Sequence, residues 1–308
     1  MKIGLMLPLG EDEKLGRPPS FAELGALALA AEEHALDSVW GADHLLFRSP
    51  GEEGTTGIHE IWTILTAVAA VTERVEIGPL VLAVPFRNPA LTAKMAATLD
   101  EVSGGRLILG LGCGWHEPEF DAFGYPFDHR VGRFEEALNI IVPLLRTGRS
   151  DFSGRWHRAS DAALTPRGPR PDGPPILIAG KQPRMLQLVA RHADAWNAAW
   201  YGDPGDASEL DERLGRLRAA LDEAGRDPAT LTLTAGIFVV FPHLGDVDGA
   251  PKRAMRGNAE EVATALAGYR DRNIEHLIVH LWPHTPEAVA ELGRAASMAR
   301  ERVAVTAS

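Results

Sequence analysis

Apolar segments of strand length recur along the chain, and the segments between them have the length and capping signals of helices. Near-continuous apolar runs predict parallel strands that are buried on both faces. The predicted strands are residues 3–7, 38–41, 75–83, 107–110, 175–179, 193–197, 231–241 and 276–281. The predicted helices are residues 20–35, 58–72, 132–145, 183–191, 206–224, 258–271 and 286–302, with a further helix that begins at Pro89.

The stretch from residue 73 to 115 has the clearest pattern. A strand at 75–83 is almost entirely apolar, and Pro89 then opens a helix at its first turn, where a missing N–H costs nothing. Gly104 and Gly105 end that helix, and an apolar strand follows at once. This order of strand, helix and strand predicts a βαβ unit with a parallel sheet.

Counting such units gives eight strands, each followed by a helix, in a chain of 308 residues. This is the size of a (β/α)8 barrel, and a doubly wound sheet is the competitor because it shares the alternation. The long segments 45–57, 116–131 and 242–257 all follow strands, so a barrel would gather them at one rim. We predict an α/β fold, a TIM barrel with insertions at its C-terminal rim, as a single domain over residues 1–308. Residues 151–157 predict a small hairpin.

Composition narrows the class of protein. Hydrophobic residues make up 45% and charged residues 24%, as in a soluble globular enzyme. The net charge of −11 argues against nucleic acid or an anionic membrane as a partner. Cys113 is the only cysteine, which excludes an internal disulfide. The opening residues lack a signal-peptide pattern and no apolar run reaches membrane-spanning length, so we expect a cytoplasmic protein.

Two polar residues follow the second predicted strand, at the rim where barrel enzymes place their active sites. His44 could donate a proton or a hydrogen bond to a bound ring, and we predict it to be catalytic. The structural alternative is that His44 packs beside Trp40 while Asp43 caps the following loop.

Glycines follow the fourth strand, at Gly110, Gly112 and Gly114. The third glycine of the dinucleotide fingerprint is replaced by Trp115, so the glycines predict a close backbone approach to a flat ligand or a tight turn without one. Cys113 is interpreted as a packing residue, because no neighbouring cation would favour its thiolate.

The turn after the fifth strand, Ala179-Gly180-Lys181, precedes a helix, and its N–H groups with Lys181 could hold an anion. A solvated surface lysine is an equally good interpretation, and an imine-forming lysine of an aldolase is a weaker one. Arg130 and Arg133 could also reach a phosphate, or could pair on the surface with Glu135 or Glu136.

A zinc site is not expected from the remaining histidines. His280 and His284 lack partner cysteines, and the run 116–120 has Phe120 where a second metal-binding histidine would stand. Pro118 in that run is expected to break a helix.

Several of these segments together resemble the luciferase-like monooxygenase superfamily. The segments that carry the resemblance are 37–44, 77–89, 98–115, 119–127 and 174–180. The resemblance implies a TIM barrel that binds the deazaflavin F420 or, alternatively, FMN at the C-terminal rim. It also implies a cis peptide bond between Leu80 and Val81 beneath the ring of the cofactor.

The resemblance further places His44 against the ring or substrate, and the other predicted site residues around the cofactor. These are Asp43, Leu80, Val81, Gly112, Cys113, Gly114, Ala179, Gly180, Lys181 and Arg130. Trp115 departs from the sugar-phosphate dehydrogenase branch of the superfamily, which has a glutamate there. That activity is therefore not expected.

We accordingly predict an oxidoreductase that transfers a hydride to or from a small organic substrate, with F420 ahead of FMN. An FMNH2-dependent monooxygenase with a separate flavin reductase is the first alternative. A non-catalytic flavin-binding barrel and a lyase that uses Lys181 are the others. A homodimer is expected, since it is common among members of the superfamily.

Overall fold

The structure is a computed structural model that describes residues 1–12, 16–48 and 54–306. Eight parallel strand positions form a ring, and the third position consists of two short strands, β3 and β4. The strands are β1 (Lys2–Met6), β2 (Ser38–Gly41), β3 (Glu76–Pro79), β4 (Leu82–Ala83), β5 (Leu109–Gly112), β6 (Arg149–Ser153), β7 (Arg158–Ala163), β8 (Ile176–Ala179), β9 (Ala195–Tyr201), β10 (Thr232–Val240), β11 (Met255–Arg256) and β12 (His276–Trp282).

The strands of the ring follow the order β3-β2-β1-β12-β10-β9-β8-β5-β4. A parallel bridge between Ile77 and Leu107 closes it. The helices around it are α1 (Phe21–Glu33), α2 (Ile61–Val71), α3 (Pro89–Val102), α4 (Glu117–Phe123), α5 (Arg130–Thr147), α6 (Pro183–His192), α7 (Ser208–Glu223), α8 (Ala259–Gly268) and α9 (Pro286–Thr306). The predicted TIM barrel is therefore confirmed.

Local signals account for most element boundaries. Ser20 and Glu23 form the predicted capping box at the start of α1, and Asn88 caps α3 ahead of Pro89. The hairpin predicted at 151–157 is present as β6 and β7, which pair antiparallel. In the described part of the chain, no helix is long and apolar enough to cross a membrane.

Three predictions of local structure need adjustment. The strand predicted at 75–83 is interrupted, and the peptide bond at the interruption, Leu80–Val81, is cis as expected from the family resemblance. The fourth barrel strand begins at Leu109, two residues later than predicted. The expectation that Pro118 prevents a helix is wrong, because Pro118 lies in the first turn of α4, where proline is tolerated.

The interior of the barrel is filled by a small cluster around Trp40. Its other buried members are Met6, Leu177, Ala195 and Ile278. The indole fits because Gly78 lacks a side chain, since a Cβ there would lie 2.7 Å from the Trp40 ring. Nε1 of Trp40 donates to Oγ of Ser38 at 2.7 Å. This cluster forms the floor beneath the C-terminal end of the barrel.

Candidate active site

A cavity of about 590 Å³ opens at the C-terminal end of the barrel. This volume lies within the range of small-molecule and cofactor sites. It brings together ten of the eleven residues that the sequence predicted for the site, namely Asp43, His44, Leu80, Val81, Gly112, Cys113, Gly114, Ala179, Gly180 and Lys181. The predicted residues are thus collected from four places along the chain.

Arg130 is the predicted residue that does not line this cavity. Its Nη1 donates to the carbonyl oxygen of Gly114 at 2.9 Å, and its guanidinium lies 3.7 Å from the centre of the Phe127 ring. Arg130 therefore supports the glycine turn from behind. Arg133 binds Asp128, so the surface pairing with Glu135 or Glu136 is not the one observed.

The turn after β5 packs closely against the interrupted third strand. A Cβ on Gly110 would lie 2.0 Å from the carbonyl oxygen of Pro79, and one on Gly112 would lie 2.7 Å from Cγ2 of Val81. Gly114 has φ +70°, and a Cβ there would lie 2.5 Å from the Phe120 ring. Gly110 is required by the approach of the two backbones, and Gly112 and Gly114 by the side chains of Val81 and Phe120. The turn itself therefore contributes mainly backbone to this wall of the cavity.

His44 is held by a buried carboxylate that the sequence analysis did not identify. Nδ1 of His44 lies 3.0 Å from Oε1 of Glu119, whose side chain is 1% exposed. Because an ionised carboxylate only accepts hydrogen bonds, Nδ1 carries the proton and Nε2 is left as the other ring nitrogen. The second oxygen of Glu119 accepts from the backbone N–H of Leu45 at 2.8 Å. Glu119 therefore fixes both the ring and the loop that carries it.

Aromatic side chains surround His44. The Phe47 ring centre lies 4.4 Å from that of His44, and the Trp115 ring lies edge-on at 5.5 Å. Trp115 lines the cavity although it is 65% exposed, which places its indole at the mouth. The alternative in which His44 packs beside Trp40 is not supported by these contacts.

Asp43 is buried in an ion pair, and it does not cap the loop that follows it. Its carboxylate accepts hydrogen bonds from Arg87, at 2.6 and 3.0 Å, and from the N–H of Ala83 at 2.7 Å. Burial raises the pKa of Asp43, although Arg87 and the Ala83 N–H act in the opposite direction. Burial alone would lower the pKa of Arg87, but the bonds to Asp43 and Glu60 outweigh it and raise that pKa. Asp43 thus connects β2 to β4.

Two cations line the cavity, Lys181 from the fifth-strand turn and Arg213 from α7. Lys181 is exposed, which disfavours the desolvated lysine that imine chemistry requires. Arg213, on α7, is 6% exposed, and its guanidinium donates to the Tyr201 hydroxyl at 2.8 Å and pairs with Glu209.

Burial raises the pKa of Cys113, which supports its interpretation as a packing residue.

Three aromatic residues of the opposite side were missing from the predicted site. Trp200, Phe238 and His280 line the cavity from β9, β10 and β12. The sequence presented Phe238 and His280 as members of apolar strands, and without the register nothing showed that their side chains face the cavity. Trp200 lies beyond the strand predicted at 193–197, because β9 continues to Tyr201. Burial lowers the pKa of His280 to about 3, so its ring is neutral at pH 7.

A second cavity, of about 840 Å³, lies at the N-terminal end of the barrel. Its lining includes His276, Thr234, Lys2 and Glu76, and it contains none of the predicted site residues. In barrels of this class the N-terminal face contributes stability, whereas chemistry takes place at the C-terminal face. The C-terminal cavity is therefore the candidate active site.

Comparison with known proteins places this barrel in a family. Residues 1–243 match the family model of the luciferase-like monooxygenases, and the chain belongs to that family. A pyrimidine monooxygenase, RutA, from Cronobacter turicensis is 30% identical over 82% of this chain and 67% of its own length.

Two solved structures share the fold across nearly the whole chain. An F420-dependent secondary alcohol dehydrogenase, in complex with an F420-acetone adduct, has a TM-score of 0.78 at 18% identity, with coverage of 97% of this chain and 99% of its own. A riboflavin lyase with modified FMN and riboflavin also has a TM-score of 0.78, at 16% identity, with coverage of 98% and 91%. At these identities the likeness concerns the fold alone.

Proposed function

We propose that the chain is an oxidoreductase in which a flavin-type cofactor, F420 first, exchanges a hydride with a small organic substrate while His44 exchanges a proton with it. The observation that carries the proposal is the pairing of His44 with buried Glu119 at the edge of a cavity that is also lined by the interrupted third strand and the glycine turn. Such a pair presents a proton-transferring group of fixed orientation, which hydride transfer to a carbonyl requires because the oxygen must gain a proton.

The lining of the cavity suits a flat, largely apolar ring with an anionic tail. The interrupted strand at Leu80 and Val81 and the glycines at 112 and 114 offer backbone rather than bulky side chains. Lys181 adds a positive charge to the lining, whereas Arg213 is already paired with Glu209. These residues would hold the cofactor, which supplies the hydride chemistry, while the protein orients it and excludes water.

The protein's own contribution to the reaction is the control of one proton. With Nδ1 of His44 donating to Glu119, Nε2 is the nitrogen that can accept a proton from the substrate or return one to it. The hydrogen bond to Glu119 fixes the orientation of the imidazole, and the aromatic rings of Phe47 and Trp115 limit the access of water to it.

The second candidate is an FMNH2-dependent monooxygenase supplied by a separate flavin reductase. It is favoured by the relatedness to pyrimidine monooxygenase RutA, which is closer in sequence than the F420-dependent dehydrogenase. The same cavity serves both candidates. The difference lies in the cofactor, because FMN in its reduced form can activate oxygen whereas F420 transfers only a hydride.

Separate titrations with F420 and with FMN, followed by tryptophan fluorescence quenching, distinguish these candidates. We expect tight binding of F420 and oxidation of its reduced form by a panel of small aldehydes and ketones. In His44→Ala, cofactor affinity should persist and turnover should fall at least tenfold, since a positioned proton donor contributes about 10²–10⁴.

Preferential binding of FMN with oxygen-dependent product formation would support the monooxygenase instead. Cofactor binding without turnover of any kind would indicate the non-catalytic barrel. A protein that binds neither cofactor would contradict the proposal. Equal turnover in His44→Ala and the wild type would remove His44 from the mechanism.

A further inference from the structure

The lining of the C-terminal cavity divides into two arcs of the barrel. The predicted cofactor contacts that line it come from, or directly follow, the neighbouring strands β2, β3–β4, β5 and β8. The remaining strands, β1, β12, β10 and β9, are also neighbours in the ring. From these strands the cavity receives Met6, His280, Phe238 and Trp200, which we call the far wall, and also Trp196, Asn197 and Ala198 of β9. Trp196 and Asn197 are in register with Ile178 and Ala179 of β8, so they lie beside the first arc. A ring on the first arc would leave the far wall facing the remaining space.

The far wall is largely aromatic, and two of its three rings are stacked on each other. The rings of Trp200 and Phe238 are stacked, with centres 5.2 Å apart and planes 22° apart. His280 lies 5.9 Å from Trp200 and 6.0 Å from Phe238. Gly236 makes room for this arrangement, because a Cβ there would lie 2.7 Å from the Trp200 ring. Such a surface favours stacking with another flat ring.

The far wall is also uncharged. Burial lowers the pKa of His280 to about 3 and that of the neighbouring His284 to about 4. Both imidazoles are therefore neutral at pH 7. Among the described residues, the charged members of the lining are Asp43, Glu119, Lys181 and Arg213, none of which belongs to the far wall. A charged substrate would lose its hydration against these rings without a charged partner among them, since Arg213 is paired with Glu209 and the guanidinium of Arg253, 5.2 Å from the centre of the Phe238 ring, does not line the cavity.

His280 can still recognise one polar group. Among the described residues, no hydrogen bond involves the ring nitrogens of His280. Neither of these nitrogens is fully buried, so both remain accessible from the cavity. A neutral imidazole offers one donor and one acceptor. The far wall therefore combines stacking surfaces with one neutral site for hydrogen bonding, whereas the amide of the neighbouring Asn197 already donates to Oγ1 of Thr234.

We propose that the far wall binds the substrate, and that the substrate is an uncharged aromatic ring compound with a carbonyl or similar polar group. The proposal rests on the proposed function, because it assigns the first arc to the cofactor. Trp200 and Phe238 are then specificity-determining residues, and His280 orients the polar group.

The test measures the binding of simple probes to the cofactor-loaded protein by calorimetry. Benzaldehyde carries the proposed features, benzoate adds a charge, and cyclohexanecarbaldehyde removes the aromatic ring. We expect the dissociation constant of benzaldehyde to be at least about tenfold lower than that of either of the other two probes. Trp200→Ala should weaken benzaldehyde binding about tenfold while cofactor affinity is kept, because a stacked aromatic partner is lost. Phe238→Leu should weaken it less.

Two controls make the result specific. Trp156→Ala removes an indole that does not line the cavity and should leave probe binding unchanged. His280→Phe keeps a ring but removes its nitrogens, so benzaldehyde should lose affinity several-fold while toluene does not.

Benzoate binding as tightly as benzaldehyde would overturn the inference, as would failure of every aromatic probe to bind. A Trp200→Ala variant that loses cofactor affinity instead of probe affinity would show that the far wall holds the cofactor. In each of these cases cofactor binding by the wild type still stands as a separate test of the proposed function.

Discussion

Glu119 is a positioning residue whose effect can be separated from cofactor binding. Its carboxylate fixes the tautomer of His44, and although Glu119 lines the cavity it is not one of the predicted cofactor contacts. We expect Glu119→Gln to lower kcat about 10- to 100-fold, as loss of an orienting partner does elsewhere. The cofactor dissociation constant should stay the same. Stopped-flow turnover and fluorescence titration measure the two quantities.

Glu117→Gln is the matched control, since Glu117 is an exposed acid in the first turn of the same helix. It should leave both quantities unchanged. If Glu119→Gln reduced cofactor affinity as strongly as kcat, Glu119 would have a general structural role, and the assignment of the proton to Nδ1 of His44 would lose its support.

At this scale the sequence predicted the residues that follow barrel strands and missed those that act through them. The rim position of His44 follows from the end of its strand. Glu119 lies 75 residues further along the chain, and the expectation that Pro118 prevents a helix removed it from consideration. Phe238 and His280 were predicted only as members of apolar strands. Which face of the strand each side chain occupies follows from the register, which the sequence does not show.

At the scale of elements, Asp43 connects β2 to β4, the second part of the interrupted third strand. Asp43 after β2 accepts hydrogen bonds from Ala83 in β4 and from Arg87, which also binds Glu60. Asp43→Asn should lower the free energy of unfolding by about 3 kcal/mol, because it leaves a largely buried guanidinium with one partner. It should also weaken cofactor binding. Urea denaturation and fluorescence titration measure these effects.

Asp161→Asn is the control for this substitution. Asp161 pairs with Arg149 on the surface, where both side chains are mostly exposed, so its replacement should change stability by well under 1 kcal/mol. Equal stability of Asp43→Asn and the wild type would mean that the Asp43–Arg87 pair does not stabilise the interrupted third strand.

Element boundaries were predicted where capping residues mark them. Ser20 with Glu23, and Pro89 with the following glycines, identified helix ends directly. The interruption at residues 80 and 81 does not change the hydrophobic pattern, since the run from 77 to 83 contains no charged residue. Only the family resemblance indicated it. The backbone there is arranged by contacts with the distant glycine turn at 110–114.

At the scale of the whole molecule, the barrel followed from counting strands and helices, whereas its interior did not. Alternation and length identify eight units, but they do not show that the N-terminal end of the barrel contains a buried polar chain. There, Nε2 of His276 lies 2.7 Å from Oγ of Ser38, which accepts from Trp40. The single-domain assignment stays a prediction.

His276 makes the stability of the barrel depend on pH. Burial, and then the charge of Lys2, lowers its pKa to about 3, against about 6.5 for a histidine in an unfolded chain. Below pH 6.5 the unfolded state therefore binds a proton that the folded state does not, and stability falls as the pH falls towards 3. One such histidine contributes up to about 1.4 kcal/mol per pH unit in this window.

Urea denaturation at pH 7, 6 and 5 tests this dependence. His276→Asn keeps a neutral hydrogen-bonding side chain beside Ser38, so its stability should decline less steeply below pH 6.5 than that of the wild type. His129→Asn is the control, because His129 is about half exposed and its left-handed backbone conformation suits asparagine. It should retain the wild-type slope. Identical slopes for His276→Asn and the wild type would show that His276 takes up its proton in the folded barrel, and that the buried chain opens without unfolding.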